Sequence, residues 1–491
     1  MPDLELCLKP ATELRRLLGT RELSARELTD AHLAQIERQQ PKVNAFVTVA
    51  AEQAIEQAEA ADQRAVGGAE LPALHGLPLA VKDLIRTRGL RTTFGSVLYA
   101  DNVPDADDLL AARYRDAGAI FIGKTNTPEF GCGGGQTTNA VCGDTRNPYD
   151  LDRACGSSSG GSAVALAARM TPLADGSDFG GSLRHPAGHC NVVGFRPSPG
   201  RVPAYPAELG WFTLRTDGPM GRCVADTALL LSVQAGPDPR SPISLPEPGH
   251  HFAQPLERDF KGIRVAFSRN LGFLPVDKRI NDVCDRQRAT FEALGMEVVD
   301  TEPDLREALD AFKVLRAWRY TLAHGDRVRD PAKREVMKPD LVWNTEEGFK
   351  LSAEDVARAE GKRTELFHRM RSFMDQYDFL VLPTNPTPPL PIGQTSIQDI
   401  EGQRMGSYID GGALKSAISA VGNPAISMPA GFTGEGWPVG IQIVGRHNDD
   451  LSVLQLAHAF EQATGVGERL PPSSTRANPE RTETVRDDVF A

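Results

Sequence analysis

The chain has 491 residues, 40% of them hydrophobic and 24% charged, with a formal net charge of −11. That balance supports a sizeable core, in one large α/β unit with insertions or in two or three average domains, and it is not the composition of a disordered chain. The excess of carboxylates argues against nucleic acid or an anionic membrane surface as a partner.

The opening MPDLELCLKP lacks a basic start followed by an apolar run, so no signal peptide is expected. No segment approaches the roughly 18 apolar residues needed to cross a bilayer. Seven cysteines (Cys7, Cys132, Cys142, Cys155, Cys190, Cys223 and Cys284) fall at irregular spacing without a CxxC. Reduced thiols in a cytoplasmic protein are expected, with no structural zinc and no disulfide framework.

In chain order, residues 1–66 read as an N-terminal helical region. Ser24 and Glu27 have capping-box spacing, and "AAEQAIEQAEAADQRA" is rich in helix formers. Residues 67–470 read as one large domain, followed by a polar tail, 471–491, that is expected to fray. "LPLAVKD" reads as a short buried strand, Leu77 to Val81, delivering Lys82 and Asp83. A helix closing near Gly118 and a strand from Ala119 to Gly123 follow, which is α/β alternation. Residues 236–256 are Pro-rich and polar, a connector or surface excursion. "IRVAFS" and "MEVVD" flank a helical stretch from Asp277 to Leu294, a second βαβ-like unit. Residues 304–376 look mainly helical, "FLVLPT" and "PVGIQIVG" are late strands, and "DDLSVLQLAHAFEQATG" is a closing helix.

Chemistry concentrates in "GSSSGGSAVALAARMTPLADGSDFGGSLRHPAG", residues 156–188. The Ala-rich "GSAVALAARM" reads as a helix with Ser158 to Gly160 at its N-terminus, and "TPLAD" as a strand coming back. Ten helical residues cover about 15 Å, and five extended ones cover roughly 16 Å. The two serine runs therefore return to one place, although 24 positions separate Ser158 from Ser182. Glycines before Ser182 let successive amides converge on one point, as an oxyanion site requires. A serine nucleophile needs a base. His185 and Lys82 are both candidates, the lysine because burial would leave it neutral.

"GSSSGGSA", "GSDFGGSLRHPAG" and "PLAVKD", supported by "GKTNTPEF", "GDTRNPYDLDR", "VVGFRPSPGRVP", "GNPAISMPAG" and "PVGIQIVG", resemble the amidase signature family of serine hydrolases. The resemblance runs from about residue 10 to 465 and is weakest over a variable, substrate-shaping segment at about 235–375. It implies an α/β/α domain with a mixed central sheet of about ten or eleven strands covered by helices. It also implies a triad of Ser182 as nucleophile, Ser158 as bridging serine after a cis peptide bond, and Lys82 as base. The amides of Phe179, Gly180, Gly181 and Ser182 match the oxyanion hole, and Ser159, Asp178 and Arg184 match supporting positions. The implied reaction is hydrolysis of a small carboxamide or an aryl or alkyl amide through an acyl-enzyme, without metal or cofactor. A homodimer is the family expectation, and a small-molecule amide is the partner.

Ser157, Phe179 and His185 stand where the family commonly has other residues, and all three could reshape the pocket. Cys132, Gly133, His185, Trp211, Trp318 and Tyr320 are the candidate pocket residues, although core packing is the plainer role for Cys132 and the aromatics. Two other readings stay open. One is the glutaminase subunit of a tRNA-dependent amidotransferase. The other is hydrolysis of an ester, carbamate or cyclic amide on the same scaffold.

Overall fold

A computed structural model describes residues 3–68 and 70–475. Eleven strands form the central sheet. In chain order they are β1 (Phe46–Val49), β2 (Pro78–Lys82), β3 (Ile120–Thr125), β4 (Leu173–Asp178), β5 (Val193–Arg196), β6 (Thr216–Gly221), β7 (Arg264–Phe267), β8 (Glu297–Asp300), β9 (Phe379–Pro383), β10 (Ala425–Phe432) and β11 (Pro438–Val444). Across the sheet the order is β1-β3-β2-β4-β6-β5-β10-β11-β9-β7-β8. The sheet is mixed: β3, β2 and β4 run parallel, as do β9, β7 and β8, and the strands between them are antiparallel. This is the expected mixed sheet, and helices cover it.

Parallel register places the carboxyl ends of β2 and β4 side by side, with Leu79 opposite Leu173 and Ala80 opposite Ala174. Lys82 therefore emerges at the same edge as Ser177 and Asp178. The helix Gly160–Ala167 starts at this edge and β4 returns to it, as the matched lengths predict. The strand is longer than the "TPLAD" reading, because pairing with β6 continues through Ser177 and Asp178. All the central strands here are buried on both faces, so β2 reads as an apolar run rather than an alternating one.

The helical reading of residues 1–66 holds for Ala11–Thr20, Ala25–Val43 and Ala51–Val66, and the Ser24–Glu27 capping box is formed. It fails at Phe46–Val49, the edge strand β1, which pairs antiparallel with β3. Four residues give no readable period, and the pairing partner lies far along the chain, Val49 meeting Gly123. β5, β6 and β10 likewise escape the sequence. "TDGPMG" in particular carries two glycines and a proline, and only its fully buried place between β4 and β5 makes it a strand. The second βαβ unit is present, with β7 and β8 parallel around the helix Lys278–Ala293. Residues 304–376 are helical as expected, with helices Ala308–Arg329, Pro331–Val336, Pro339–Phe349 and Ala353–Met374. Of the polar tail, Pro471 is buried and Pro472–Thr475 is a helical turn. The rest of the tail lies outside the described residues.

Candidate active site

Lys82, at the end of β2, is fully buried. Its Nζ donates to Ser158 Oγ at 2.8 Å, Ser159 Oγ at 2.8 Å and Ser177 Oγ at 3.0 Å. These are three neutral hydroxyls, and among the described residues no carboxylate pairs with the ammonium. Burial lowers its pKa to about 7; Arg215 adds to that, and Asp217, Asp175 and Asp178 oppose it. Asp175, one strand over, fixes the backbone by accepting from Lys82 N at 2.6 Å. Burial thus makes the neutral amine far easier to reach than in water, and the groups around it are hydroxyls.

Gly156 turns the chain into the first serine run with φ of 81°, where a Cβ would stand 2.9 Å from Pro186 Cα. The Ser157–Ser158 peptide is cis, and Ser157 Oγ donates to Gly133 O at 3.0 Å. The two runs touch: Ser159 N donates to Ser182 O at 3.3 Å. Ser182 is half-buried and lines the cavity together with Ser158. Among the described residues no hydrogen bond joins Ser158 Oγ to Ser182 Oγ, so this structure brings the loops together without closing that contact.

Asp178 anchors the second loop. It accepts from Arg184 Nε at 3.1 Å, Arg184 Nη2 at 3.2 Å and Arg196 Nη1 at 3.0 Å, all fully buried. It also accepts from Gly181 N at 2.7 Å and Leu183 N at 3.3 Å. Burial works to raise this carboxyl, but the two guanidiniums outweigh it and hold it below the usual carboxylate range. The amide of Gly181 is therefore occupied in this structure. Of the four amides named from the sequence, those of Phe179, Gly180 and Ser182 have no protein acceptor among the described residues. Beneath the loop lies Lys415, unforeseen from sequence. It too is buried, with a pKa lowered to about 7 by burial and by Arg184. A Cβ on Gly181 would stand 2.6 Å from Lys415 Cβ.

His185 is buried and turned toward the first loop, its Nδ1 accepting from Ser157 N at 3.4 Å. Burial, Lys415 and His189 push its pKa well below the usual value, so it stays neutral. The imidazole holds the serine loops, and Lys82 is the group that contacts the hydroxyls.

The loops open into a cavity of about 810 Å³. Of the candidate pocket residues, Gly133, His185 and Tyr320 line it, and Cys132, Trp211 and Trp318 do not. Cys132 lies inside the wall, packed in the cluster of Tyr320, Met337 and Leu341 with its Sγ 3.5 Å from Tyr408 OH, while Phe130, Gly131, Gly133 and Gly134 on either side of it line the cavity. Trp211 is 77% exposed while its neighbour Phe212 turns inward. On the helix Ala308–Arg329, Phe312, Arg316, Tyr320 and His324 share one face at four-residue spacing. Trp318, two positions off that stripe, packs on Phe212 at 6.3 Å. Ser177, Asp175 and the rings of Phe94, Tyr99 and Phe130 complete the site without any signal in the sequence. Among the described residues no group of three or more His, Cys, Asp or Glu side chains could hold a metal ion.

The sequence model of the family described as Amidase matches residues 27–454. This chain belongs to the amidase signature family. It is 35% identical over 479 residues to an acylamidase of Rhodococcus erythropolis, which covers 96% of this chain and 99% of the relative. It is 34% identical over 481 residues to a glutamyl-tRNA(Gln) amidotransferase subunit of Geobacter metallireducens, covering 92% and 96%. A solved bacterial aryl acylamidase of the amidase signature family superposes with a TM-score of 0.89 at 28% identity, covering 96% of this chain and 99% of that one. The amidase signature enzyme hydrolyses amide C–N bonds.

Proposed function

We propose that the enzyme acts on its own on a small carboxamide or an aryl or alkyl amide, through an acyl-enzyme on Ser182. The observation that supports this is the neutralisable Lys82 set among serine hydroxyls. Ser182 Oγ attacks the carbonyl carbon while its proton passes to Ser158 Oγ, and the proton of Ser158 passes to Lys82 Nζ. The oxyanion is met by the free amides of Phe179, Gly180 and Ser182. Collapse of the tetrahedral species returns the proton through Ser158 to the leaving nitrogen, the C–N bond breaks, and ammonia or an amine departs. Water then attacks the ester by the reverse proton route and releases the acid. The open Ser158–Ser182 contact fits a site that tightens when substrate binds.

The linear amide class, with aryl or alkyl groups, is favoured by the aromatic wall of Phe94, Phe130, Phe179 and Phe212. The test is a fluorophosphonate probe on the purified chain, with the adduct located by peptide mass spectrometry. Labelling of Ser182 that collapses in Lys82→Ala and in Ser158→Ala supports the triad; labelling at another serine overturns it. A parallel turnover panel of anilides and primary amides, with glutamine included, separates this reading from the glutaminase one.

A further inference from the structure

One buried guanidinium in the cavity wall has no counter-ion among the described residues. Arg316 is 7% exposed and lines the cavity. Its Nε donates to Asn344 Oδ1 at 3.0 Å, and its Nη2 donates to Tyr320 OH at 2.5 Å and Tyr408 OH at 3.1 Å. Its Cζ lies over two rings, 4.5 Å from the centroid of Tyr320 and 5.0 Å from that of Phe179. Every one of these partners is uncharged. Burial raises both phenols above their ordinary value even with the guanidinium beside them, so neither supplies an anion. Among the described residues Arg316 forms no ion pair and its Nη1 makes no hydrogen bond.

Other arginines of the site are satisfied differently. Arg184 and Arg196 share Asp178, Arg319 pairs with Glu208 at 3.1 Å, and Arg215 pairs with Asp217 at 2.7 Å. The cavity carboxylates Asp108 and Asp217 are thus neutralised by Arg86 and Arg215, and Asp105 is exposed to solvent. Arg327, bonded to Tyr99 OH at 2.7 Å, adds positive charge to the wall. A guanidinium does not lose its proton, and burying it without a counter-charge is unfavourable. Three hydrogen bonds and two flanking rings fix its orientation and leave one N–H edge unbonded at the cavity, a preorganised receptor for an oxyanion.

We propose that Arg316 is a substrate-binding residue and that the substrate amide carries a carboxylate, received by the free Nη1 edge. This rests on the amide-hydrolase reading of Ser182 and narrows it. Phe179, whose ring lies against Arg316, is the first residue of the oxyanion loop, so the guanidinium borders that loop.

Two matched pairs test the assignment. Butyranilide and succinanilate differ by a carboxylate on the acyl chain; acetanilide and 4-acetamidobenzoate differ by one on the amine side. Values of kcat/KM are measured for the wild-type enzyme, Arg316→Met and Arg316→Lys. Binding of the same four compounds to Ser182→Ala, with and without Arg316→Met, is followed by calorimetry. In at least one pair the carboxylated member is expected to lead by about tenfold or more, mainly through KM. Arg316→Met brings the ratio to about one, and Arg316→Lys restores part of it. Equal or better handling of both neutral members by the wild-type enzyme overturns the assignment, as does a preference that survives Arg316→Met. If Arg316→Met does not fold, the wild-type and Ser182→Ala comparisons decide alone. Selective carboxylate binding with no turnover of any amide supports Arg316 and counts against the hydrolase reading instead.

Discussion

Replacing Asp178 with asparagine removes one charge and almost no volume, and the hub around it shows what that should do. Both guanidiniums, of Arg184 and Arg196, are fully buried and use this carboxylate as their shared counter-ion. Asparagine keeps one acceptor oxygen, which can serve Gly181 N or Leu183 N but not both, and it turns an amide donor toward donors. Removing one partner of a buried ion pair costs about 3–5 kcal/mol. For a 491-residue chain, an unfolding entropy of roughly 2.1 cal/mol/K per residue makes each kcal/mol worth about 1 °C, so the melting temperature at a fixed scan rate should fall by about 3–5 °C. The wild-type carboxyl is held below its unfolded value, so its contribution is fully present above the ordinary aspartate range and is lost as pH falls from that range to the lower folded value. The Asp178→Asn variant should lack that acid-side component. The loop that carries Ser182 loses an anchor as well, and fluorophosphonate labelling should slow by about 10²-fold. A melting temperature within about 1 °C of the wild type, together with unchanged labelling, would refute the idea that this buried pair holds the loop.

Three further outcomes are expected. The dependence of kcat/KM on pH should rise tenfold per unit and level off above about 7, because Lys82 must be neutral to accept a proton; Arg215→Gln, which removes a cation that lowers this pKa, should move the midpoint upward, and a fixed midpoint would sink the assignment of Lys82. Gly181→Ala puts a Cβ 2.6 Å from Lys415 Cβ at a φ of 116°, so the loop must shift; labelling of Ser182 should drop by about 10²-fold while the far-ultraviolet circular dichroism stays that of the wild type. His185→Gln should keep labelling within about tenfold of the wild type, whereas Lys82→Ala should lose about 10²–10⁴-fold; equal losses in the two variants would make the histidine the base.

The site was readable where chemistry is local. Glycines before Ser182 and small residues around Ser158 have few other uses, and a helix followed by a strand of equal length returns the chain to its start. Lys82 stood out because it ends an apolar strand. The pocket was not readable in the same way. Trp318, in the variable segment, and Trp211 were pocket candidates, yet Trp318 backs Phe212 and Trp211 faces solvent, because a side chain's direction depends on helix phase and loop packing. Cys132 was placed at the cavity by its loop, and packing with Tyr320, Met337 and Leu341 puts its side chain in the wall.

By itself the sequence determined the α/β alternation, the two serine loops and the buried lysine, since each follows from backbone propensity, small-residue spacing and apolar runs within a few tens of residues, while the mixed sheet was implied by the family resemblance. Only the tertiary structure decided that Ser177 shares the lysine, that Asp178 takes the Gly181 amide, that β1 and β6 are strands, and that Arg316 faces the cavity without a counter-ion. Most of these depend on residues far apart in the chain, 95 positions for Lys82 and Ser177 and 92 for Arg316 and Tyr408. No local pattern encodes which distant group satisfies a buried charge or donor.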